Sequence, residues 1–308
     1  MHFQNRTFWR RCLMSMIAGL VMALVVSGTA MASGIKFSPV KKQGKKVNYN
    51  KIIPVLYRRS YYKLQGSETD GRFLYNIYWN KHKNKCIIVK INAKGGKRVK
   101  TSHPLNIDHG NDLTYNPDTK LLYTVGNHKK PHTVSIISPV SLRQVGAVHV
   151  NIPPALEGIA PGEIPGIGHI AGIAYDSTRR QYALRISHLN EFIITDESFG
   201  PLRYVKGSKT FPVRHQSLTC DQDHIYSCMD KEGSYNLIIA YSWKGKYQYH
   251  IRVPIKYEIQ AVFRIGSYHY ATFYDNSHNK PKSYIYRFRM PQAAWLHSHR
   301  GCSFFLYP

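Results

Sequence analysis

The sequence predicts an all-β protein, a β-propeller of five four-stranded blades closed by an N-terminal strand. Three observations predict it. Five segments open alike and continue alike at nearly one-blade spacing. The chain is rich in residues that suit a pleated, half-buried surface, with 23 tyrosines and many Val, Ile and Thr. No long stretch repeats apolar residues at helical spacing.

The first segment opens at Leu64-Gln65-Gly66 and runs on to Phe73-Leu74-Tyr75. The second opens at His109-Gly110-Asn111-Asp112 and continues to Leu121-Leu122-Tyr123. The third opens at His169-Ile170-Ala171, the fourth at His215-Gln216-Ser217 and the fifth at Tyr257-Glu258-Ile259. These openings lie 45, 60, 46 and 42 residues apart, against roughly 40–50 for a four-stranded blade. The long interval is explained by the Pro- and Gly-rich insertion from Pro153 to Gly168, which reads as a loop.

Each repeat divides into four strands. In the second, Leu113 to Tyr115 ends the inner strand, and Asn116-Pro117-Asp118 makes a turn in which Pro presets φ and the Asn and Asp side chains bond the bend. Lys120 to Val125, His132 to Ile137 and Gln144 to Val150 follow as the outer three. Third strands recur at Cys86 to Ile91, Glu191 to Thr195, Leu237 to Trp243 and Ser283 to Phe288. The fifth repeat lacks a fourth strand after Met290. The unassigned segment Lys51 to Tyr57 is therefore expected to supply it and close the ring, leaving only short, protected sheet edges.

The N-terminus reads as a secretory leader. Arg6, Arg10 and Arg11 precede an apolar run from Met16 to Val26, and Ala30-Met31-Ala32 offers small residues for cleavage after Ala32. The expected organisation is a signal peptide at 1–32, a basic arm with the ring-closing strand at 33–63, the five-repeat propeller at 64–290 and a tail at 291–308. The mature protein is then secreted, extracellular or cell-surface associated, with no integral span after cleavage. Cys86, Cys220, Cys228 and Cys302 survive cleavage, contain no C-x-x-C pair and receive no disulfide assignment.

The chain has 43 Lys and Arg against 17 Asp and Glu, a net charge of +26. The densest run is Lys41-Lys42-Gln43-Gly44-Lys45-Lys46. Such a field attracts polyanions and is screened by salt. The expected partner is an anionic cell-wall polymer or an acidic polysaccharide. Export argues against nucleic acid as the primary partner, and a monomer is expected.

Asn111-Asp112-Leu113-Thr114-Tyr115-Asn116-Pro117 with Lys120-Leu121-Leu122-Tyr123, and Gly172-Ile173-Ala174-Tyr175-Asp176, are similar to the repeats of secreted bacterial propellers of the YVTN or lactonase-like kind. This pattern covers residues 64 to 290. The resemblance implies a fold and no particular chemistry, because propellers host hydrolases, lyases, lectins and scaffolds alike.

First strands of blades line a central channel, so the openings meet at one mouth. His109, His169 and His215 occupy the same aligned position, with Gln65, Asn111, Asp112, Gln216 and Glu258 beside them. These eight residues are the candidate polar ligand site. Three imidazoles also suit a divalent transition metal, with Glu258 or Asp112 as fourth ligand or general base. No other cofactor is expected. A G-x-S-x-G elbow and a phosphate-cradling Gly loop are both absent. The leading reading is a non-enzymatic extracellular binding protein. The alternative is a metal-assisted lyase or hydrolase using His109, His169 and His215.

Overall fold

The computed structural model describes residues 35–94, 96–126, 129–153, 169–186, 190–231, 234–277 and 281–291. The expected leader, all but Pro153 of the insertion, the tail beyond 291 and Cys302 lie outside them. The basic arm contributes β1 (Ser38–Pro39), β2 (Lys41–Lys42) and β3 (Lys45–Lys46). Blade 1 is β4 (Lys63–Thr69), β5 (Phe73–Asn80), β6 (Lys85–Asn92) and β7 (Arg98–Thr101). Blade 2 is β8 (Asp112–Asn116), β9 (Leu121–Val125), β10 (Thr133–Ile137) and β11 (Gln144–His149). Blade 3 is β12 (Ile170–Asp176), β13 (Gln181–Ile186), β14 (Glu191–Thr195) and β15 (Pro201–Lys206). Blade 4 is β16 (Arg214–Cys220), β17 (His224–Lys231), β18 (Tyr235–Ser242) and β19 (Tyr247–Val253). Blade 5 is β20 (Glu258–Ile265), β21 (Tyr268–Asp275) and β22 (Lys282–Phe288), with β1 as its outermost strand.

Every sheet is antiparallel and ordered from its first strand outward. The first strands β4, β8, β12, β16 and β20 touch in that cycle and close on themselves. The fold is thus a five-bladed β-propeller with four strands per blade.

The repeat is visible as repeated turn chemistry. The first hairpin of four blades is bent by one carboxylate or amide whose Oδ1 accepts backbone N–H groups two or three residues on. Asp70 takes those of Arg72 and Phe73, Asn116 those of Asp118 and Thr119, Asp176 that of Thr178, and Asp221 those of Asp223 and His224. Apolar clusters then fill the spaces between neighbouring sheets. Tyr75, Ile77, Leu113 and Leu122 pack blades 1 and 2 together, Val125, Val134, Ile173 and Leu184 blades 2 and 3, and Phe192, Ile194, Leu218 and Ile239 blades 3 and 4.

Ring closure comes from the arm, but from a different segment than expected. Ser38 pairs with Arg287 and Pro39 with Tyr286 on the open edge of β22. Lys51 to Tyr57 is instead a 3₁₀ turn (Tyr49–Ile52) followed by the short helix α1 (Val55–Arg58). Pro54 sits at the N-cap with φ −52°, where its fixed φ and missing N–H favour a helix start. Arg58 folds back, its Nη2 donating to the carbonyls of Lys51 (2.8 Å) and Ile53 (3.0 Å). Tyr49, Ile53 and Tyr61 are buried between blades 1 and 5 with Leu64, Tyr78, Phe263 and Ile285, so this segment plugs the seam. Buried Asn50 stitches it: its Nδ2 donates to the Tyr62 carbonyl at 2.9 Å, and its Oδ1 accepts from Ser283 Oγ at 2.5 Å.

No described helix is long and apolar enough to cross a membrane. The described cysteines Cys86, Cys220 and Cys228 are free thiols.

Candidate functional site

First strands β4, β12, β16 and β20 each carry a bulge where extra residues oppose the second strand. Counting from the paired residues on either side, Gln65-Gly66, Asn111-Asp112, Ala171-Gly172, Gln216-Ser217 and Gln260-Ala261 are equivalent. The bulge turns backbone carbonyls and N–H groups toward the axis, and side chains of the same ring bond them.

Blade 2 reaches across to blades 3 and 4. Asn111 Nδ2 donates to the carbonyls of Ala171 (2.5 Å) and Gln216 (3.2 Å). Asp112, almost fully buried, accepts from the N–H groups of Ile173 (2.9 Å) and Leu218 (2.8 Å) through Oδ2, and from Leu113 (2.9 Å) through Oδ1. Arg185 of β13 is the largest fully buried side chain. Its guanidinium donates to the carbonyls of Gln216 (2.9 Å), Ala171 (3.2 Å) and Ser217 (3.3 Å). Gln216 Nε2 donates to Glu258 Oε1 at 2.8 Å. With its amide nitrogen toward the ring, Gln260 donates to the carbonyls of Gln65 and Leu64, each at 3.1 Å.

Burial sets the electrostatics. It pushes the Asp112 carboxyl up to about 7 against the backbone donors and Arg185, which pull it down. It lowers the Arg185 guanidinium to about 10 against the attraction of Asp112. It pushes Glu68, beside Asp112 in the ring, up to about 8. Glu258 is also raised by burial, with Arg214 opposing. At this level the axis is a fastener: most of its donors and acceptors are spent on blade-to-blade bonds, with Arg185 Nε and Ser217 Oγ buried and unbonded.

Of the eight candidate residues, the structure brings Asn111, Asp112, Gln216 and Glu258 into this network, together with the backbone of Gln65. The three histidines do not join it as a metal set. His109 and His169 precede Gly110 and Ile170, whose counterpart in blade 4 is His215 itself, so two of the three sit one position earlier. An offset of one residue reverses the face a side chain takes. His109 packs on Trp79 with ring centroids 3.9 Å apart. His169 lies just before β12, and His215 pairs with Met229 in blade 4. Among the described residues no group of three or more His, Cys, Asp or Glu is placed to hold a metal ion.

Sequence reasoning missed Arg185 and Gln260. Arg185 was detectable: it stands in the apolar strand Tyr182-Ala183-Leu184-Arg185-Ile186, at the position filled by Ile77, Val125, Cys228 and Thr272 in the other blades. A charge where every repeat is buried signals an internal partner.

An off-axis cleft of 670 Å³ lies between blades 3 and 4. It is lined by Asn190, Glu191 and Gly207 from blade 3 and by Phe211, Arg214 and Asp230 from blade 4. Lys206 and Lys231 also line it. Arg214 Nη2 lies 2.5 Å from Asp230 Oδ2 and 3.9 Å from Glu258 Oε1, which ties the cleft to the axial network. Gly207 is required there, because a Cβ would stand 2.9 Å from the Asn190 carbonyl oxygen. Its own N–H donates to that oxygen at 2.7 Å.

No protein family model matches the chain, and no curated protein sequence matches it. Solved structures do. A luciferin-regenerating enzyme is 12% identical with TM-score 0.47, over 83% of this chain and 96% of that one. Regucalcin, a calcium-binding protein from Agrobacterium tumefaciens, is 11% identical with TM-score 0.44, over 75% and 92%. Hydrazine synthase of Kuenenia stuttgartiensis is 12% identical with TM-score 0.41, and this chain spans 60% of its length. At such identity the likeness is of fold alone.

Proposed function

We propose that this protein is a secreted, non-enzymatic binding propeller held on anionic cell-envelope polymer by its basic surface, with a polar ligand in the cleft beside the channel mouth. The Lys41–Lys46 hairpin carries the reading. Its two strands face Lys41 with Lys46 and Lys42 with Lys45. Like charges directly opposite each other destabilise a strand pair, and all four lysines are exposed. Lys46 Nζ is steadied by the hydroxyl of Tyr286 at 2.9 Å and the ring of Tyr284 at 4.8 Å. The hairpin thus presents concentrated charge whose mutual repulsion a polyanion relieves. The whole-chain charge of +26 draws such a partner from a distance.

The enzymatic alternative would need grouped ligands for a divalent transition metal, and among the described residues no three of His, Cys, Asp or Glu are grouped for one, which favours the binding reading. The test is retention on isolated anionic wall polymer across a salt gradient. Retention should be strong at about 0.1 M salt, where the screening length is ~10 Å, and vanish near 1 M, where it is ~3 Å. A variant with Lys41, Lys42 and Lys45 changed to Gln should elute at clearly lower salt. Retention indifferent to salt, or to these lysines, rejects the reading.

A further inference from the structure

We infer that the turn carrying Val55 and Leu56 is a foothold on an anionic lipid bilayer, the two aliphatic side chains entering the acyl region while Lys51, Arg58, Arg59 and Arg98 meet the headgroups. The foothold lies on a different segment from the Lys41–Lys46 hairpin and goes beyond polymer binding.

Leu56 is 81% exposed and Val55 78%, the most exposed large apolar side chains among the described residues. A lone exposed aliphatic is ordinary. Here two adjacent ones stand at the tip of a turn that is braced to hold them out. The N–H groups of Tyr57 and Arg58 donate to the Pro54 carbonyl at 2.9 and 3.0 Å. Arg58 Nε and Nη2 donate to the Ile53 carbonyl at 3.3 and 3.0 Å. Ile53 and Tyr61, on either side of the tip, are buried in the seam between blades 1 and 5. Arg98 Nη1 ties β7 to the same segment through the Ile52 carbonyl at 3.0 Å. Next to Arg98, the unpaired bulge residue Val99 adds a third exposed aliphatic side chain.

Charge surrounds the tip and is not neutralised. Lys51, Arg58, Arg59 and Arg98 are all exposed. The carbonyl bonds of Arg58 and Arg98 fix each guanidinium without cancelling its charge. No Asp or Glu occurs in residues 35–67 or 71–107, and among the described residues none of the four cations forms an ion pair. Apolar surface and charge together select the partner. A wall polymer offers anionic groups but no apolar interior for two aliphatic side chains. A second copy of this chain, docked through the same patch, would set like cations against each other. A standard protein interface buries about 800 Å² per partner, far more than a two-residue tip supplies. A bilayer containing anionic lipid offers both features: its surface attracts Lys and Arg, and aliphatic side chains insert just beneath the headgroups. Long Lys and Arg stems let the charges stay at headgroup level as the tip enters.

The experiment is flotation of the purified protein with vesicles of phosphatidylcholine, either alone or with about 30% phosphatidylglycerol, at physiological ionic strength. The protein should float with the anionic vesicles and much less with the neutral ones. Val55→Ser with Leu56→Ser should weaken that binding about 10-fold or more, the worth of one aliphatic side chain taken fully out of apolar surroundings. Its melting temperature and its retention on wall polymer should match the parent, since both side chains are exposed. Lys51→Gln with Arg59→Gln should narrow the preference for anionic vesicles, with Arg58 and Arg98 kept because they brace the turn. Leu56→Trp reads insertion at this position alone: lipids brominated in the acyl chain should quench the fluorescence that it adds to the parent's. Vesicle binding indifferent to the serine variant, or a bound Leu56→Trp protein without that quenching, overturns the foothold and leaves the polymer reading standing. Absence of vesicle binding overturns it too, including the case in which the serine variant instead abolishes self-association in light scattering and so assigns the turn to a second copy. Acyl-chain quenching in a protein that wall polymer fails to retain overturns the polymer reading and leaves the foothold.

Discussion

Replacing Asp112 with alanine should loosen the ring more than any single core truncation. Its carboxylate is the one acceptor for the backbone N–H groups of Ile173 in blade 3 and Leu218 in blade 4, and it faces the buried Arg185 guanidinium. Each N–H left buried and unbonded costs about 1–3 kcal/mol. Removing one partner of a buried charge pair costs about 3–5 kcal/mol. Part of this is returned, because the carboxylate no longer bears the burial that pushes it up to about 7. A net loss of about 4–6 kcal/mol remains, against a total of about 5–15 for a folded domain. For a large domain this lowers the melting temperature by roughly 10–20 °C. Differential scanning calorimetry at neutral pH, with urea unfolding as a second measure, reads it directly. Asp112→Asn keeps one oxygen for Ile173 and Leu218 but turns an amide toward the N–H of Leu113, so it should fall between the two. A melting temperature for Asp112→Ala within about 2 °C of the parent would show that the first strands close by apolar packing alone, and the fastener account would be wrong.

The same group predicts a pH signature. A carboxyl raised above its unfolded pKa favours the protonated folded state, so the stability it lends is present at low pH and is lost as pH rises through about 7. The advantage of the parent over Asp112→Asn should therefore shrink between pH 4 and 7. His269, which burial holds down to about 4, acts in the opposite sense but cancels in that difference. Gly207→Ala should distort the cleft, since the new methyl meets a backbone carbonyl at 2.9 Å. Its urea midpoint should fall, but by less than that of Asp112→Ala. Asn50→Ala should cost about 1–3 kcal/mol in urea unfolding, because it removes the bond to the Tyr62 carbonyl and leaves the Ser283 hydroxyl only its longer contact with the Tyr78 hydroxyl, 3.4 Å away. An unchanged midpoint would mean that β1 closes the ring unaided.

The parts of the fold written in the sequence are those that repeat. Asp70, Asn116, Asp176 and Asp221 each bend a first hairpin by local hydrogen bonds, so the blade period survives even where the strands diverge. Closure was legible only as a need for one more outer strand. Which segment supplied it depended on Pro54, which suits a sheet edge and a helix start equally; the buried Ile53 and Tyr61 decided for a plug. The axial polar ring was half legible. Asn111, Asp112, Gln216 and Glu258 stand out as polar residues at blade openings. The bulges do not, because a bulge is a property of the pair of strands. The histidine offset, by contrast, was legible: Leu64, Gly110, Ile170 and His215 each lie six residues before the hairpin-bending Asp70, Asn116, Asp176 and Asp221, so His109 and His169 fall one position early. The cleft was the least legible part: Asn190, Glu191 and Gly207 come from the far ends of outer strands, where repeat alignment is weakest.

A propeller of five blades has a narrow axis, and here most of its polar groups are committed to holding the blades together. This changes where binding is to be sought. A residue that both fastened blades and gripped a ligand would have to break its structural bonds to bind. Arg214 joins the two regions, since it pairs with Asp230 on the cleft wall and lies 3.9 Å from the axial Glu258. A carboxylate entering the cleft would compete with Asp230 for that guanidinium. Ligand binding should then be felt at the Gln216–Glu258 bond, and through it at the ring.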